Sequence, residues 1–336
     1  MNPLLLPLAF VLALVLALYF SPVARAAALR FGIVDRPSTP LKQQREPVPY
    51  LGGLAVFLAF VIALGLVLEF DRLLLGILLA ATLTLLVGLI DDFGVLTPFA
   101  KLLGQGVAVF VLLRSGAVIE LIDVPEGLRW PLAALWLLAV CNAFNIIDIL
   151  DGLAAGVGAM AALALGIIAL ATRQFALAAL ALSLAGALIG FLVFNFAPAT
   201  IYLGDAGALT VGIILGALAL ALPMTERSEA GFLAPLTLLL VPLADTAYVT
   251  VLRARAGKPF WHGSPDHFPL RLKRLFKGDV RRTVLACWGL SLAGCAAGVA
   301  AVVSLPWQGG LAAMGAVAAV QLAVLAGLAR QPTDSP

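Results

Sequence analysis

Three segments hold most of the side chains that could do chemistry. Asp91 and Asp92 lie in GLIDDFGVLTPFAKLLGQ, Asp148 and Asp151 in CNAFNIIDILDGLAAG, and Asp205 in NFAPATIYLGDAGAL. Each stands at the edge of a long apolar run, where an ionised carboxylate is costly and demands a reason. Adjacent carboxylates such as Asp91 and Asp92 repel each other unless a cation or a shared proton relieves them. A hard divalent ion would do so, since Mg²⁺ is commonly held by one or two carboxylates plus substrate phosphates. The plainer reading is a polar helix end solvated among headgroups. Three acidic clusters weigh against it, because strongly perturbed carboxyls tend to gather at functional sites. Asn142, Asn145, Asp148 and Asp151 recur every third residue. On one continuous helix they would form a polar stripe facing a cavity, and Gly152 then allows a tight break. A stripe that only glues helices together is the alternative, although Asn and Ser would do that at lower cost than two Asp.

The elements that position these groups are membrane helices. The chain has 336 residues, 62% of them hydrophobic and 12% charged, with a mean hydropathy of +1.09. Soluble domains are about 45–50% apolar and about 25% charged, so most of this surface faces lipid. Apolar stretches long enough to span fall at roughly 3–20, 51–69, 73–90, 98–114, 130–147, 152–171, 175–194, 205–222, 231–252, 283–304 and 308–329. The expected fold class is therefore an all-α, polytopic transmembrane bundle of about eleven spans, a single integral membrane domain over residues 1–336. The first run lacks a basic leader and reads as a retained helix, not a cleaved signal. Cys141, Cys287 and Cys295 sit inside apolar runs without metal-like spacing and imply no disulfide framework.

Basic residues set the orientation. With the N-terminus outside and the C-terminus cytoplasmic, 16 of the 21 Lys and Arg residues fall inside. Only Arg72, Arg114, Arg129, Arg173 and Arg227 stay outside. The expected cytoplasmic loops are about 21–50, 91–97, 148–151, 195–204 and 253–282, and all five carboxylates then lie on the cytoplasmic face. The longest polar stretch, RARAGKPFWHGSPDHFPLRLKRLFKGDVRR, carries His262 and His267. Most of its cations suit anionic headgroups, while its turn-rich part could project Asp266, His267 and Arg271 toward a phosphorylated substrate. Asp245, inside the ninth run, either pairs with a basic residue or lines the same cavity.

These segments resemble, in order and in spacing, the signature regions of the polyprenyl-phosphate N-acetylhexosamine-1-phosphate transferases, glycosyltransferase family 4. VDRPSTPLKQQREPVPYLGG resembles their first cytoplasmic loop, and HGSPDHFPLRL stands in the place of their histidine-containing loop. The resemblance runs from about residue 30 to about residue 275. It implies a Mg²⁺-dependent phosphoglycosyltransferase, with Mn²⁺ a substitute, that moves N-acetylhexosamine 1-phosphate from a UDP-sugar to polyprenyl (undecaprenyl) phosphate and releases UMP. Such a reaction opens cell-envelope glycan synthesis, as in cell-wall or lipopolysaccharide assembly. The implied location is the inner (plasma) membrane, with the site facing the cytoplasm; a homodimer is compatible, and nucleic acid is not a partner. By matching position, Asn145 and Asp205 would bind metal. Asp91 and Asp92 would engage the lipid phosphate, one plausibly taking its proton, with Asp148 supporting the polar site. Lys101 and Asp151 would contact the nucleotide, Tyr202 would stack on the uracil with Asn195 nearby, and His267 and Arg271 would lie near the pyrophosphate or sugar.

Four positions depart from the family pattern: Ile149 follows Asp148 where glycine is usual, Ala208 replaces a serine, the histidine cluster shrinks to His267, and the longer histidine-rich signature of phospho-N-acetylmuramoyl-pentapeptide transferase is missing. The last two favour a donor such as UDP-GlcNAc over the peptidoglycan precursor. Because the acceptor is already an anion at neutral pH, direct attack by the lipid phosphate is preferred to an aspartyl phospho-enzyme. A secondary transporter would place its site at mid-membrane on broken helices, and an intramembrane aspartyl protease would use two Asp sharing one proton. Neither matches three acidic motifs at helix ends.

Overall fold

The computed structural model describes residues 5–35, 47–117, 125–257 and 265–330. His262 and the middle of the first basic loop, including Lys42, lie outside the described residues. Thirteen α-helices are described: α1 (Leu5–Phe31), α2 (Gly52–Gly65), α3 (Arg72–Asp92), α4 (Pro98–Arg114), α5 (Glu126–Ile147), α6 (Leu153–Ala171), α7 (Phe175–Asn195), α8 (Gly204–Ala221), α9 (Ala234–Leu238), α10 (Leu240–Arg255), α11 (Phe268–Leu275), α12 (Val280–Val303) and α13 (Trp307–Ala329). Eight helices among the described residues are long and apolar enough to cross a membrane.

The all-α expectation needs one small amendment. Two short antiparallel strands, β1 (Val34–Asp35) and β2 (Val48–Pro49), close the first basic loop, with Val34 opposite Pro49 and Asp35 opposite Val48. The first helix is longer than its apolar run suggested. Nothing in residues 21–31 breaks it, since Pro22 lies within the helix and Gly32 first takes a positive φ of 71°. The second helix is shorter, at 14 residues.

The ninth run, expected as one span, is broken: Glu229–Leu238 and α10 are bent by 69°. Pro242 supplies the reason. It has no N–H to donate to the carbonyl of Leu238, and its ring would clash with that carbonyl in a continuous helix. The Cys295 thiol points at the freed carbonyl at 3.6 Å.

Helix starts are set by ordinary capping chemistry. Asp71 accepts the Leu74 N–H at 2.8 Å, Thr97 accepts the Ala100 N–H at 3.2 Å ahead of Pro98, and Asp279 accepts the Arg282 N–H at 3.0 Å. Helix α8 is the hub, packed by α2, α3, α5, α6 and α7. Its small residues Gly204, Ala208, Gly212 and Gly216 recur every four positions, which lets neighbouring backbones approach closely, as membrane helices do. A Cβ on Gly212 would lie 2.8 Å from the Cα of Cys141 in α5.

Candidate functional site

The start of α8 is where the site is built, and glycines bring the other elements to it. A Cβ on Gly88 of α3 would sit 2.3 Å from the Cα of Ala206, and one on Gly53 of α2 would sit 2.2 Å from the backbone nitrogen of Gly207. The backbone locks the same place. Gly52 N–H donates to the Tyr202 carbonyl at 3.0 Å, Gly53 N–H to that of Leu203 at 2.8 Å, and Tyr202 N–H to that of Pro49 at 2.8 Å. Helix α3 therefore delivers Asp91 and Asp92 directly against the first turn of α8.

Asp92 serves as a cap supplied from another helix. One carboxylate oxygen accepts the Asp205 N–H at 2.8 Å and the other the Ala206 N–H at 3.3 Å. These are among the N–H groups that a helix start leaves without a partner, and a negative charge is favourable there.

Asp91, Asn145 and Asp205, from α3, α5 and α8, converge on a single cation. The Lys101 ammonium lies 2.6 Å from an Asp91 oxygen, 2.7 Å from an Asp205 oxygen and 2.8 Å from the Asn145 side-chain oxygen. Asn145 also donates its amide N–H to the other Asp205 oxygen at 2.7 Å. Lys101 reaches this point because Thr97 and Pro98 start α4 one turn earlier. Among the described residues, no three or more His, Cys, Asp or Glu are grouped so as to hold a metal alone. The donor set instead fits a hard cation completed by oxygens from outside the protein, as Mg²⁺ is commonly held. The ammonium stands where such a charge is stabilised.

Asp148 ends α5 with φ −77° and ψ 58°, so the three-residue polar stripe does not continue as one helical face. Asn142 turns instead to α4, donating to Gln105 Oε1 at 2.7 Å and accepting from Gln105 Nε2 at 3.3 Å. Asp148 accepts from the Gly204 N–H; burial, then the carboxylates of Asp205, Asp92 and Asp151, push its pKa well above the usual carboxylate range. Asp151 accepts the Ala199 N–H at 2.8 Å, which ties the α5–α6 turn to the segment after α7.

Two residues expected at the substrate are committed elsewhere. Asn195 is buried, accepting from the Gly152 N–H at 3.1 Å and donating to the Ile201 carbonyl at 3.0 Å, so it braces the walls around Asp151. Arg271 is 0% exposed, donates to the Leu328 carbonyl at 3.0 Å and to Asp266 at 2.7 Å, and lies over the Tyr248 ring at 5.9 Å. Its guanidinium latches the polar loop to the last helix. His267 points Nδ1 at a carboxylate oxygen of Asp245, 2.7 Å away, while the other oxygen accepts the Phe268 N–H at 2.9 Å. That settles the choice left open for Asp245: it is fully buried and pairs with His267.

Tyr202 is half-buried near Asp151, Asp35 and Asp148; burial first and these carboxylates second raise its phenol pKa. Sequence reasoning missed Tyr50, whose hydroxyl donates to Asp35 at 2.9 Å and whose pKa is raised by burial and by that bond, with Asp92 and Asp205 adding to it. The one available signal was that Tyr50 immediately precedes Leu51 and the Gly52–Gly53 pair. Arg25, donating to the Thr200 carbonyl at 3.1 Å, and Arg281, donating to the Ala197 carbonyl at 2.7 Å, also hold the segment between α7 and α8.

A polytopic helical bundle with carboxylates from several helix ends focused on one cation defines a class of membrane enzyme site, one suited to phosphate-bearing substrates. The family model for glycosyl transferase family 4 matches residues 74–223. The chain is 30% identical over 276 residues to the "Probable undecaprenyl-phosphate N-acetylglucosaminyl 1-phosphate transferase" of Bacillus subtilis, covering 79% of this chain and 76% of that protein. It is 32% identical over 301 residues to the decaprenyl-phosphate N-acetylglucosaminephosphotransferase of Mycolicibacterium smegmatis, covering 78% and 73%. A phospho-N-acetylmuramoyl-pentapeptide-transferase of Halalkalibacterium halodurans is 34% identical over 238 residues, covering 63% and 72%. This chain belongs to glycosyl transferase family 4.

Proposed function

We propose that the protein transfers N-acetylglucosamine 1-phosphate from UDP-GlcNAc to a polyprenyl phosphate at the cytoplasmic face of the inner membrane. The observation that carries this reading is the convergence of Asp91, Asn145 and Asp205 on one cation position at a single end of the bundle. The names of the relatives support the substrates. The basic-residue bias supports eleven crossings with the N-terminus outside, the broken α9–α10 segment counting as one and α2 and α4 as the short ones.

In the proposed reaction an oxygen of the lipid phosphate attacks the β-phosphorus of the nucleotide sugar. The bond from that phosphorus to the bridging oxygen breaks, and UMP leaves with the electron pair. Mg²⁺, which Asn145 and Asp205 with Asp91 beside them would hold, would supply charge neutralisation for phosphate oxygens. The protein supplies positioning, which is most of what phosphoryl transfer asks of it. Asp91 and Asp205 present oxygens from separate helices, and Lys101, freed from them, offers an ammonium to a phosphate oxygen. Asp92 is engaged through both oxygens by backbone N–H groups, which favours a fixed, orienting carboxyl over a nucleophile and so supports direct attack. Asp151 and Tyr202 face the nucleotide, and His267, its Nδ1 taken by Asp245, can present only Nε2 to a substrate.

The decisive experiment is transfer by purified protein given polyprenyl phosphate, Mg²⁺ and a panel of UDP-sugars. UDP-GlcNAc should be the preferred donor, and Asp92→Asn and Asp205→Asn should abolish turnover. Full activity in both variants would refute the site.

A further inference from the structure

At the same end of the bundle as the carboxylates, a crevice of about 720 Å³ opens between α7 and α12. Ile189, Val193, Phe196, Leu285 and Trp288 form its apolar walls, and Arg281 stands at its mouth. The floor is solid: the Phe196 and Trp288 rings pack 5.4 Å apart, and a Cβ on Gly156 would lie 2.1 Å from the Trp288 ring. Val193 and Leu285 are 68% and 53% exposed, so the opening faces outward from the bundle, where a membrane protein meets lipid. The volume is that of a small-molecule site, about 300–1,000 Å³.

We propose that this crevice binds one anionic glycerophospholipid of the surrounding leaflet, its acyl chain along Val193 and Leu285 and its phosphate on Arg281. Charge selects this occupant. Arg281 is exposed, and the one donor it spends on the described protein is Nε, given to the Ala197 carbonyl at 2.7 Å, so its two terminal nitrogens remain for a phosphate. Lys277 on the turn between α11 and α12, Arg274 near the end of α11 and Arg282 at the start of α12, the last paired with Asp279 at 3.2 Å, are also exposed. Such clusters attract anionic headgroups, and a planar guanidinium is suited to bidentate phosphate contact.

Occupancy is coupled to the site through the backbone. Arg281 holds Ala197, and two residues later the Ala199 N–H is donated to Asp151 at 2.8 Å. A lipid phosphate that fixes the guanidinium therefore steadies the segment leading to Asp151 and Tyr202. This coupling rests on the transferase reading; the lipid site itself does not.

Native mass spectrometry of the full chain, exposed to phosphatidylglycerol and phosphatidylcholine in competition, reads binding without turnover. Wild type should retain one phosphatidylglycerol, and Arg281→Gln should retain it about fivefold less tightly, the value of one cation near a charged surface. Val193→Trp, a change at a lipid-facing position that fills the crevice, should also expel it. Retention of phosphatidylglycerol by both variants, or retention of added polyprenyl phosphate in its place, would overturn the proposal. Arg281→Gln also loses the hold on Ala197, so its rate in phosphatidylcholine nanodiscs serves as its own baseline: adding phosphatidylglycerol should raise the rate of wild type and leave that of the variant unchanged. Stimulation of the variant by phosphatidylglycerol in the same proportion as wild type would show that Arg281 acts only as a strut and not through lipid.

Discussion

Replacing Lys101 by Met removes an ammonium from the focus of three oxygens while keeping an unbranched side chain of similar reach. The cost can be bracketed from the structure. An exposed ion pair contributes about 0.2–1 kcal/mol, whereas removing one partner of a buried pair costs about 3–5 kcal/mol. The Lys101, Asp91 and Asp205 side chains are 16%, 16% and 36% exposed, which places them between those limits. A loss of about 2 kcal/mol in metal-free buffer follows, equivalent to a factor of about 30 in an equilibrium constant. If, as proposed, a divalent ion is held by the same oxygens, the ammonium must leave them first. The variant should therefore bind Mg²⁺ up to about 30-fold more tightly, and the added metal should close the stability gap. Saturation at about 100 times the dissociation constant is itself worth about 2.7 kcal/mol. The assay is thermal unfolding in detergent after EDTA treatment, followed by a Mg²⁺ titration of both proteins. Equal midpoints in EDTA, or a variant that needs as much Mg²⁺ as wild type, would refute the idea that Lys101 and the metal share one set of ligands.

Three further outcomes follow from the same geometry. Asp92→Ala removes the cap from α8 and should lower stability by about 1–2 kcal/mol, read by unfolding, with Asp92→Asn recovering part of that stability but not activity. Asp245→Ala strands the His267 Nδ1 and the Phe268 N–H in a fully buried place, at about 1–3 kcal/mol for each group; hydrogen exchange should then rise at the start of α11, and unchanged exchange would remove Asp245 from its proposed role in holding the loop. Gly88→Ala should cost at least about 1–3 kcal/mol, as overpacking does, and should depress transfer by displacing Asp205, whereas Gly106→Ala on α4, where a Cβ meets nothing within 4 Å, should be silent in both assays.

The membrane helices and the acidic motifs were legible because each is written in contiguous residues. Long apolar runs announce spans, and a carboxylate at the end of one is conspicuous against them. What could not be read was made by distant residues meeting. Asp245 and His267 are 22 positions apart, and no local pattern says that they pair. Asn142 shared the three-residue period of Asn145 but pairs with Gln105, because a period shows which residues share a face and not what that face meets. Arg271 and Asn195 looked like substrate ligands, yet Asn195 is held by a backbone N–H and a carbonyl, and Arg271 by the Asp266 carboxylate and the distant Leu328 carbonyl, contacts that sequence does not display. The break before α10 was different, since Pro235 and Pro242 were visible and the apolar run simply outweighed them.

The contact of Gly53 and Gly88 with the first turn of α8 has a consequence for how such a centre can change. No side chain stands between the strut carrying Asp92 and the turn carrying Asp205, so no rotamer change can alter their spacing. The distance between the two backbones is set by main-chain thickness alone. Only the rotamers of the two aspartates themselves are left to adjust how far apart their carboxyl groups lie.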